Sequence, residues 1–256
     1  MLNNYIHPYR DQYNFSDNKN VRNTYILDTQ IGDVTGDQIP DIVYLVGEKK
    51  ETPFFENIKV IVQDGRTNQR YTIPLLPNYS MAYTPWIILA NFIDSHTKEI
   101  MVNLPVGGSG GLTYYYVISF LNNNADYILG PNQFMSLSET LEFEVIYLDN
   151  YRVLVKSEKL DQSYTLDINS RKEVYEGTVY DEEGKLIQPR EGFVIDFPFL
   201  YPIKIDGSVP YKLQASHDIA GTSHADQLGS IVLNWRYSVD EKSWVLDPEM
   251  FFVLLE

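Results

Sequence analysis

Apolar and polar residues alternate with a period of two along most of the chain. Tyr151, Val153 and Val155 fall on one side of such a run, with Arg152, Leu154 and Lys156 on the other. Ile231, Leu233, Trp235 and Tyr237 alternate in the same way with Val232, Asn234 and Arg236. Successive side chains of a strand point to opposite faces, so both segments predict half-buried strands. Residues 41–46, DIVYLV, keep almost no polar face and predict a strand buried on both sides. Residues 58–63 and 70–74 flank Asp64-Gly65-Arg66-Thr67, a turn residue followed by Gly, which predicts a hairpin. Thr113–Phe120 (TYYYVISF) is a further β-branched and aromatic run. Asn132–Leu141 is the one stretch that predicts a short helix. The fold class expected is all-β, and twenty Tyr with twelve Phe suit cross-strand aromatic pairs.

Composition narrows the function classes. Twenty basic against 35 acidic residues leave a net charge of −15, which disfavours electrostatic capture of nucleic acid. A chain of 256 residues that is 44% hydrophobic and 21% charged is globular, and its length suits one large or two small domains. The absence of Cys excludes disulfides, thiolate zinc sites and cysteine nucleophiles. No apolar run approaches the ~20 residues of a transmembrane helix. The start, Met1-Leu2-Asn3-Asn4-Tyr5, shows neither the basic nor the apolar part of a signal peptide. That leaves either an intracellular protein or one whose leader has been removed. The N-x-S sequons at Asn14 and Asn78 are read as chance matches.

The segment with the most chemistry is 31–47, IGDVTGDQIPDIVYLVG. Counting Asp33 as position 1, oxygen-bearing side chains fall at positions 1, 3, 5 and 9: Asp33, Thr35, Asp37 and Asp41. Calcium takes six to eight oxygens, and the Ile39 carbonyl at position 7 supplies another. Gly36 lets the loop turn tightly. Three carboxylates a few Å apart repel by roughly 4 kcal/mol per pair at an effective dielectric of 20, which favours a bound Ca²⁺. Magnesium suits the loop less well, because it demands octahedral geometry. An EF-hand is excluded, since Tyr44 stands at position 12 and Gln38 at position 6.

Asp33-Val34-Thr35-Gly36-Asp37-Gln38-Ile39-Pro40-Asp41, followed by an apolar strand, resembles the FG-GAP/VCBS repeat of integrin α-chain propellers and many bacterial proteins. The resemblance implies a loop that joins the first two strands of a four-stranded β-propeller blade and binds calcium. It also favours an extracellular or cell-surface location if a leader was removed. Gln38 stands where that repeat has Gly, and a positive φ there would cost a non-Gly residue about 1 kcal/mol or more. The chain as a whole is similar to bacterial VCBS-type proteins of no established activity. The shared features are Gly107-Gly108-Ser109-Gly110-Gly111 before Thr113-Tyr114-Tyr115-Tyr116, Ile219-Ala220-Gly221, His224-Ala225-Asp226 and Leu228-Gly229.

A repeat predicts recurrence. Fifty-eight residues on, Leu89–Val102 aligns without gaps; Asn91, Ile93, Ser95 and Glu99 take the ligand positions, and Ile93 offers no oxygen. A weaker copy, Lys204–Leu213, places Lys204, Asp206, Ser208 and Lys212 there, which reads as a turn without metal. A further unit is expected near residue 148, where Glu144–Leu148 and Tyr151–Val155 flank Asp149-Asn150. The expectation is a single β-propeller-like domain over 1–256. Residues 1–24 form an N-terminal extension, and four degenerate four-stranded units of roughly 57 residues start near 25, 84, 141 and 196.

Other constellations are weaker. Gly107-Gly108-Ser109-Gly110-Gly111 satisfies G-x-S-x-G, but both flanks read as strands, so a hairpin loop is expected in place of a nucleophile elbow. His217, Asp218, His224 and Asp226 could form a metal or acid–base cluster, yet their spacing matches no zinc signature. Asp181-Glu182-Glu183-Gly184-Lys185 reads as a polar turn. The function expected is a non-enzymatic, calcium-stabilised module that binds a protein or carbohydrate partner. The alternatives are a glycan or ester hydrolase on the same scaffold, and a structural component of a bacterial surface or spore layer. No catalytic residue is assigned.

Overall fold

The computed structural model describes residues 24–108, 111–195, 199–205, 207 and 209–254. The chain is all-β and builds four antiparallel sheets. The first is a meander of β1 (Thr24–Gly32), β2 (Asp41–Lys49), β3 (Phe55–Gln63) and β4 (Arg70–Pro74). The second repeats that order with β5 (Trp86–Ala90), β6 (Glu99–Gly107), β7 (Leu112–Ser119) and β8 (Asp126–Leu129). After the helix α1 (Pro131–Glu139) comes a third sheet of β9 (Phe143–Leu148), β10 (Arg152–Ser157) and β11 (Gln162–Asp167). A short helical turn, α2 (Lys172–Tyr175), follows. In the fourth sheet, β12 (Phe193–Val194) and β13 (Phe199–Ile203) share one edge of β14 (Lys212–Ala220), which pairs in turn with β15 (Gln227–Ser238) and then β16 (Ser243–Leu254).

The 58-residue spacing is visible in the hydrogen bonds. Asp41 opens β2, and its Oδ2 accepts the N–H of Val34 and Thr35 at 2.9 and 3.1 Å. Glu99 opens β6, and its Oε2 accepts the N–H of Phe92 and Ile93 at 2.6 and 3.2 Å. Seven and six residues separate donor from acceptor in both places, so one buried carboxylate ties down each β1–β2-type loop. The weaker copy keeps the strand register alone: β13 ends at Ile203 and β14 starts at Lys212. Asp206 and Ser208 of that copy lie outside the described residues, as do residues 1–23 of the expected N-terminal extension.

Four-stranded units are met in the first two sheets and not in the others. On the edge of β9 an irregular segment takes the place of a strand: Tyr147 donates its N–H to the Arg190 carbonyl at 3.0 Å, and Gly192 donates to the Val145 carbonyl at 2.9 Å. Among the described residues no closed ring is seen: the second sheet shares one core with the first sheet and another with the third and fourth. Ile100, Val102, Leu104, Tyr116 and Ile118 pack toward the first sheet. Their alternates Met101, Tyr115 and Val117 join a core shared with the third and fourth sheets. Trp244 of β16 donates its Nε1–H to the Ile128 carbonyl in β8 at 2.9 Å. The strand buried on both faces is therefore β6. In DIVYLV, Val43 and Leu45 are buried while Ile42 and Tyr44 are half-buried.

Candidate functional site

The loop between β1 and β2 brings together the residues expected to hold calcium, but its carboxylates face protons. Asp33 accepts the N–H of Gly36 on Oδ1 and of Gln38 on Oδ2, both at 2.7 Å. Asp37 accepts the Ile39 N–H on Oδ1 at 2.9 Å and the Arg66 Nε–H on Oδ2 at 2.5 Å. Arg66 also donates from Nη2 to the Asp37 carbonyl at 3.0 Å. Besides its bonds to Val34 and Thr35, Asp41 accepts the Gly65 N–H on Oδ1 at 2.9 Å. All six carboxylate oxygens thus take a hydrogen bond. Thr35 is buried, and its hydroxyl makes none. The hydrogen bond from Arg66, helped by that from Ile39, holds the Asp37 carboxyl below its ordinary range.

This donor set does not fit the expected calcium site at Asp33, Thr35, Asp37, Ile39 and Asp41. A hard cation needs six or more oxygens turned inward; here they are turned to backbone amides, and Arg66 brings the positive charge. Among the described residues no group of three or more His, Asp or Glu side chains is placed to hold a metal ion. The expectation of calcium and metal binding is corrected on that ground. The loop's shape was still legible. Gly36 has φ +82°, and Gln38, where a Gly was missed, takes φ 67°. What the sequence hid was the partner: Asp64-Gly65-Arg66-Thr67 read only as a turn, yet it supplies both the Arg66 guanidinium and the Gly65 amide.

The His/Asp constellation is split by strand alternation. His217 points into the core side of β14 and is buried, and burial pushes its ring down to about 4, so it is neutral at pH 7. Asp218, the next residue, points the other way and accepts the Ser230 hydroxyl at 3.0 Å. His224 is exposed, with its ring 4.8 Å from that of Phe193. Asp226 is buried and fully engaged: Tyr175 donates its O–H at 2.5 Å, Arg171 its Nη2–H at 2.6 Å, and Thr222 its N–H at 2.7 Å. Glu183 N–H bonds to Asp181 in the polar turn. Ser109 lies outside the described residues, while the flanking β6 and β7 form a hairpin as expected.

The cavity of most chemical interest opens over the outer face of β13–β14–β15. Its volume is about 440 Å³, within the usual range for small-ligand sites. Period-two spacing builds its lining. Phe199 and Tyr201 on β13 form an aromatic wall, and Ser216 and Asp218 on β14 face Ser230 on β15. Tyr201 is 53% exposed, whereas Ser230 is buried. Gly111, from the glycine-rich hairpin of the second sheet, closes one side; a Cβ there would stand 3.1 Å from Phe199. No Lys or Arg lines the cavity among the described residues. A second cavity, of about 460 Å³, lies by β9 and carries Glu139, Glu142, Glu144 and Glu191. Glu144 pairs there with Lys156 at 3.0 Å and Glu142 with Lys159 at 3.6 Å. The signal for the first cavity lies in SHDIA and FLY read at period two, which sets Ser216 with Asp218 and Phe199 with Tyr201 on one face of their strands.

Comparison with known proteins overturns the FG-GAP/VCBS assignment. A family described as the YybI C-terminal domain matches residues 141–251, the third and fourth sheets with their connection. No solved structure matches the chain. The chain is similar to the "Uncharacterized protein YybI" of Bacillus subtilis (strain 168), 34% identical over 218 residues. The resemblance to FG-GAP/VCBS rested on about 17 residues of one loop, whereas this likeness covers 84% of this chain and 81% of the relative. The chain therefore belongs to the YybI family.

Proposed function

We propose that this protein is a non-enzymatic β-repeat module that binds a glycan or protein partner through the cavity over β13–β15. Its sheets act as propeller-like blades that hold the cavity walls rigid. The observation that carries this is the lining itself: the aromatic Phe199 and Tyr201 beside the polar Ser216, Asp218 and Ser230. Binding sites combine apolar and aromatic area with a few placed polar groups, and elements of a sheet hold them more precisely than loops do. The test is a screen of the full chain on a glycan array and a peptide library, repeated with Ser216→Trp, which fills the cavity. Ligands that bind the parent and are lost by the variant support the proposal. Ligands retained by the variant, or none at all, overturn it.

A hydrolase remains the second reading because of one observation. Gly111 of the G-x-S-x-G loop lines the same cavity as His224 and Asp218. A serine-directed fluorophosphonate that labels Ser109 in the folded protein would favour this reading over a binding module.

A further inference from the structure

Accepting the cavity over β13–β15 as the binding site, we infer that its ligand is a saccharide carrying a protonated amine, an amino sugar. Three features converge on that chemistry. First, the described lining carries one carboxylate, Asp218, and no Lys or Arg, with the exposed His224 as its one basic side chain, so an anionic sugar would meet the repulsion of Asp218 without a Lys or Arg to offset it. Second, the carboxylate is already oriented. Ser230 is buried and donates its hydroxyl to Asp218 Oδ1 at 3.0 Å, which holds the side chain toward the cavity. An ammonium that bonds to a fixed carboxylate forms a charge-assisted pair, roughly twice as strong as a neutral hydrogen bond. Third, Phe199 and Tyr201 sit two residues apart on β13 and line the same cavity as that carboxylate. Aromatic faces attract both the apolar C–H face of a pyranose and a nearby cation.

The rest of the molecule reinforces the choice. A net charge of −15 raises the local concentration of cations and lowers that of anions around an acidic cleft. The glutamate-lined cavity by β9 lacks the same logic, because Lys156 and Lys159 already neutralise two of its four carboxylates. The cavity's volume of about 440 Å³ admits one or two sugar rings, so the site reads a terminal residue and not a long chain.

The experiment titrates the full chain with D-glucosamine, D-glucose, N-acetyl-D-glucosamine and cadaverine, followed by saturation-transfer NMR and calorimetry at pH 6.5. The expected result is that glucosamine binds at least tenfold more tightly than glucose or N-acetylglucosamine. Asp218→Asn, which keeps an oxygen to accept the Ser230 hydroxyl, should erase that difference while the near-ultraviolet circular dichroism stays unchanged. Tyr201→Ala, at an exposed edge position, should weaken glucosamine severalfold and cadaverine less, since only the sugar loses a stacked ring face as well as a cation contact. Equal binding of glucose and glucosamine overturns the amine, and cadaverine binding as tightly as glucosamine overturns the sugar. If Ser216→Trp abolishes binding of array ligands that carry no amine, the amino-sugar inference falls while the cavity stands as a binding site. If Ser216→Trp affects no ligand, the site itself falls.

Discussion

Single residues decide what the β1–β2 loop is. The same Asp-x-Thr-x-Asp spacing that would collect oxygens around an ion here collects backbone N–H groups, and the difference lies in Arg66. Its guanidinium occupies Asp37 Oδ2 from a turn 29 residues away. Replacing it by Met should lower the melting temperature and make the loss smaller in high salt, since Arg66 is exposed and Asp37 only half-buried, so that salt screens the pair. Addition of millimolar Ca²⁺ or of a chelator should leave the melting temperature of the parent protein unchanged, and a rise of several degrees with Ca²⁺ would restore a metal site. Gly65 is the steric half of the same junction, because a Cβ there would stand 2.1 Å from the Pro40 carbonyl oxygen. Gly65→Ala should cost about 2 kcal/mol or more in denaturant unfolding. In the second sheet Glu99 plays the part of Asp41 but is pushed up from an ordinary 4.5 to about 7, first by burial and then by Asp94, against two backbone N–H bonds. A folded-state pKa above the unfolded one stabilises fully below pH 4.5 and loses that contribution as pH rises through 7. The parent protein should therefore lose stability on the order of 3 kcal/mol between those limits through this group. Glu99→Gln, whose carbonyl still accepts from Phe92 and Ile93, should flatten the slope in pH-dependent urea melts.

Elements show which parts of the sequence spoke plainly. The hairpins β3–β4, β6–β7 and β9–β10 and the helix α1 were legible, because each is set by local periodicity and a turn residue. The 58-residue repeat was legible as well, since one carboxylate and its two amide donors recur with the hydrophobic frame. The reduction of the third sheet to three strands was not legible. Nothing local in 176–192 says that it will cover the edge of β9, which is a tertiary decision expressed in bonds such as Tyr147 N–H to Arg190. Nor could spacing show that His217 and Asp218 would be divided between two faces, with Asp226 taken by a third set of partners. Asp226 joins the α2 segment to the turn between β14 and β15: Arg171 and Tyr175 reach it from one side and Thr222 from the other. Burial pulls its carboxyl upward, but the bonds from Tyr175 and Thr222 and the charge of Arg171 outweigh that and hold it below the ordinary value. A depressed carboxyl stabilises above its unfolded pKa and loses that contribution as pH falls through the folded value. This clamp should accordingly weaken only below about pH 4. Asp226→Ala leaves the Arg171 charge and the buried Tyr175 hydroxyl without their acceptor, at a cost of about 3 kcal/mol. Amide exchange should accelerate first in 169–176 and 221–228, and an unchanged exchange pattern there would show that the clamp is dispensable.

At the scale of the whole molecule the second sheet is the element that makes four sheets one body. Ile100 and Met101 are neighbours in β6, both fully buried, and belong to different cores: Ile100 to the one shared with the first sheet, Met101 to the one shared with the third and fourth. A strand cannot release one face and keep the other, since each residue's ladder bonds hold its neighbour in place. Loss of either core therefore removes support from both. Truncation to Ala at each position should cost about 2–5 kcal/mol, and the consequence to measure is how that cost is shared. If β6 couples the cores, both variants unfold in one transition, with near- and far-ultraviolet circular dichroism superimposed and the midpoints displaced by similar amounts. If the first sheet instead folds on its own, Ile100→Ala splits the transition and Met101→Ala does not. Family membership bears on the expectation: the YybI C-terminal match covers 141–251 and stops short of both β6 and the first sheet. A fragment of those residues, deprived of Met101, Tyr115 and Val117 from the shared core, should therefore populate a folded state more weakly than the same residues do in the full chain.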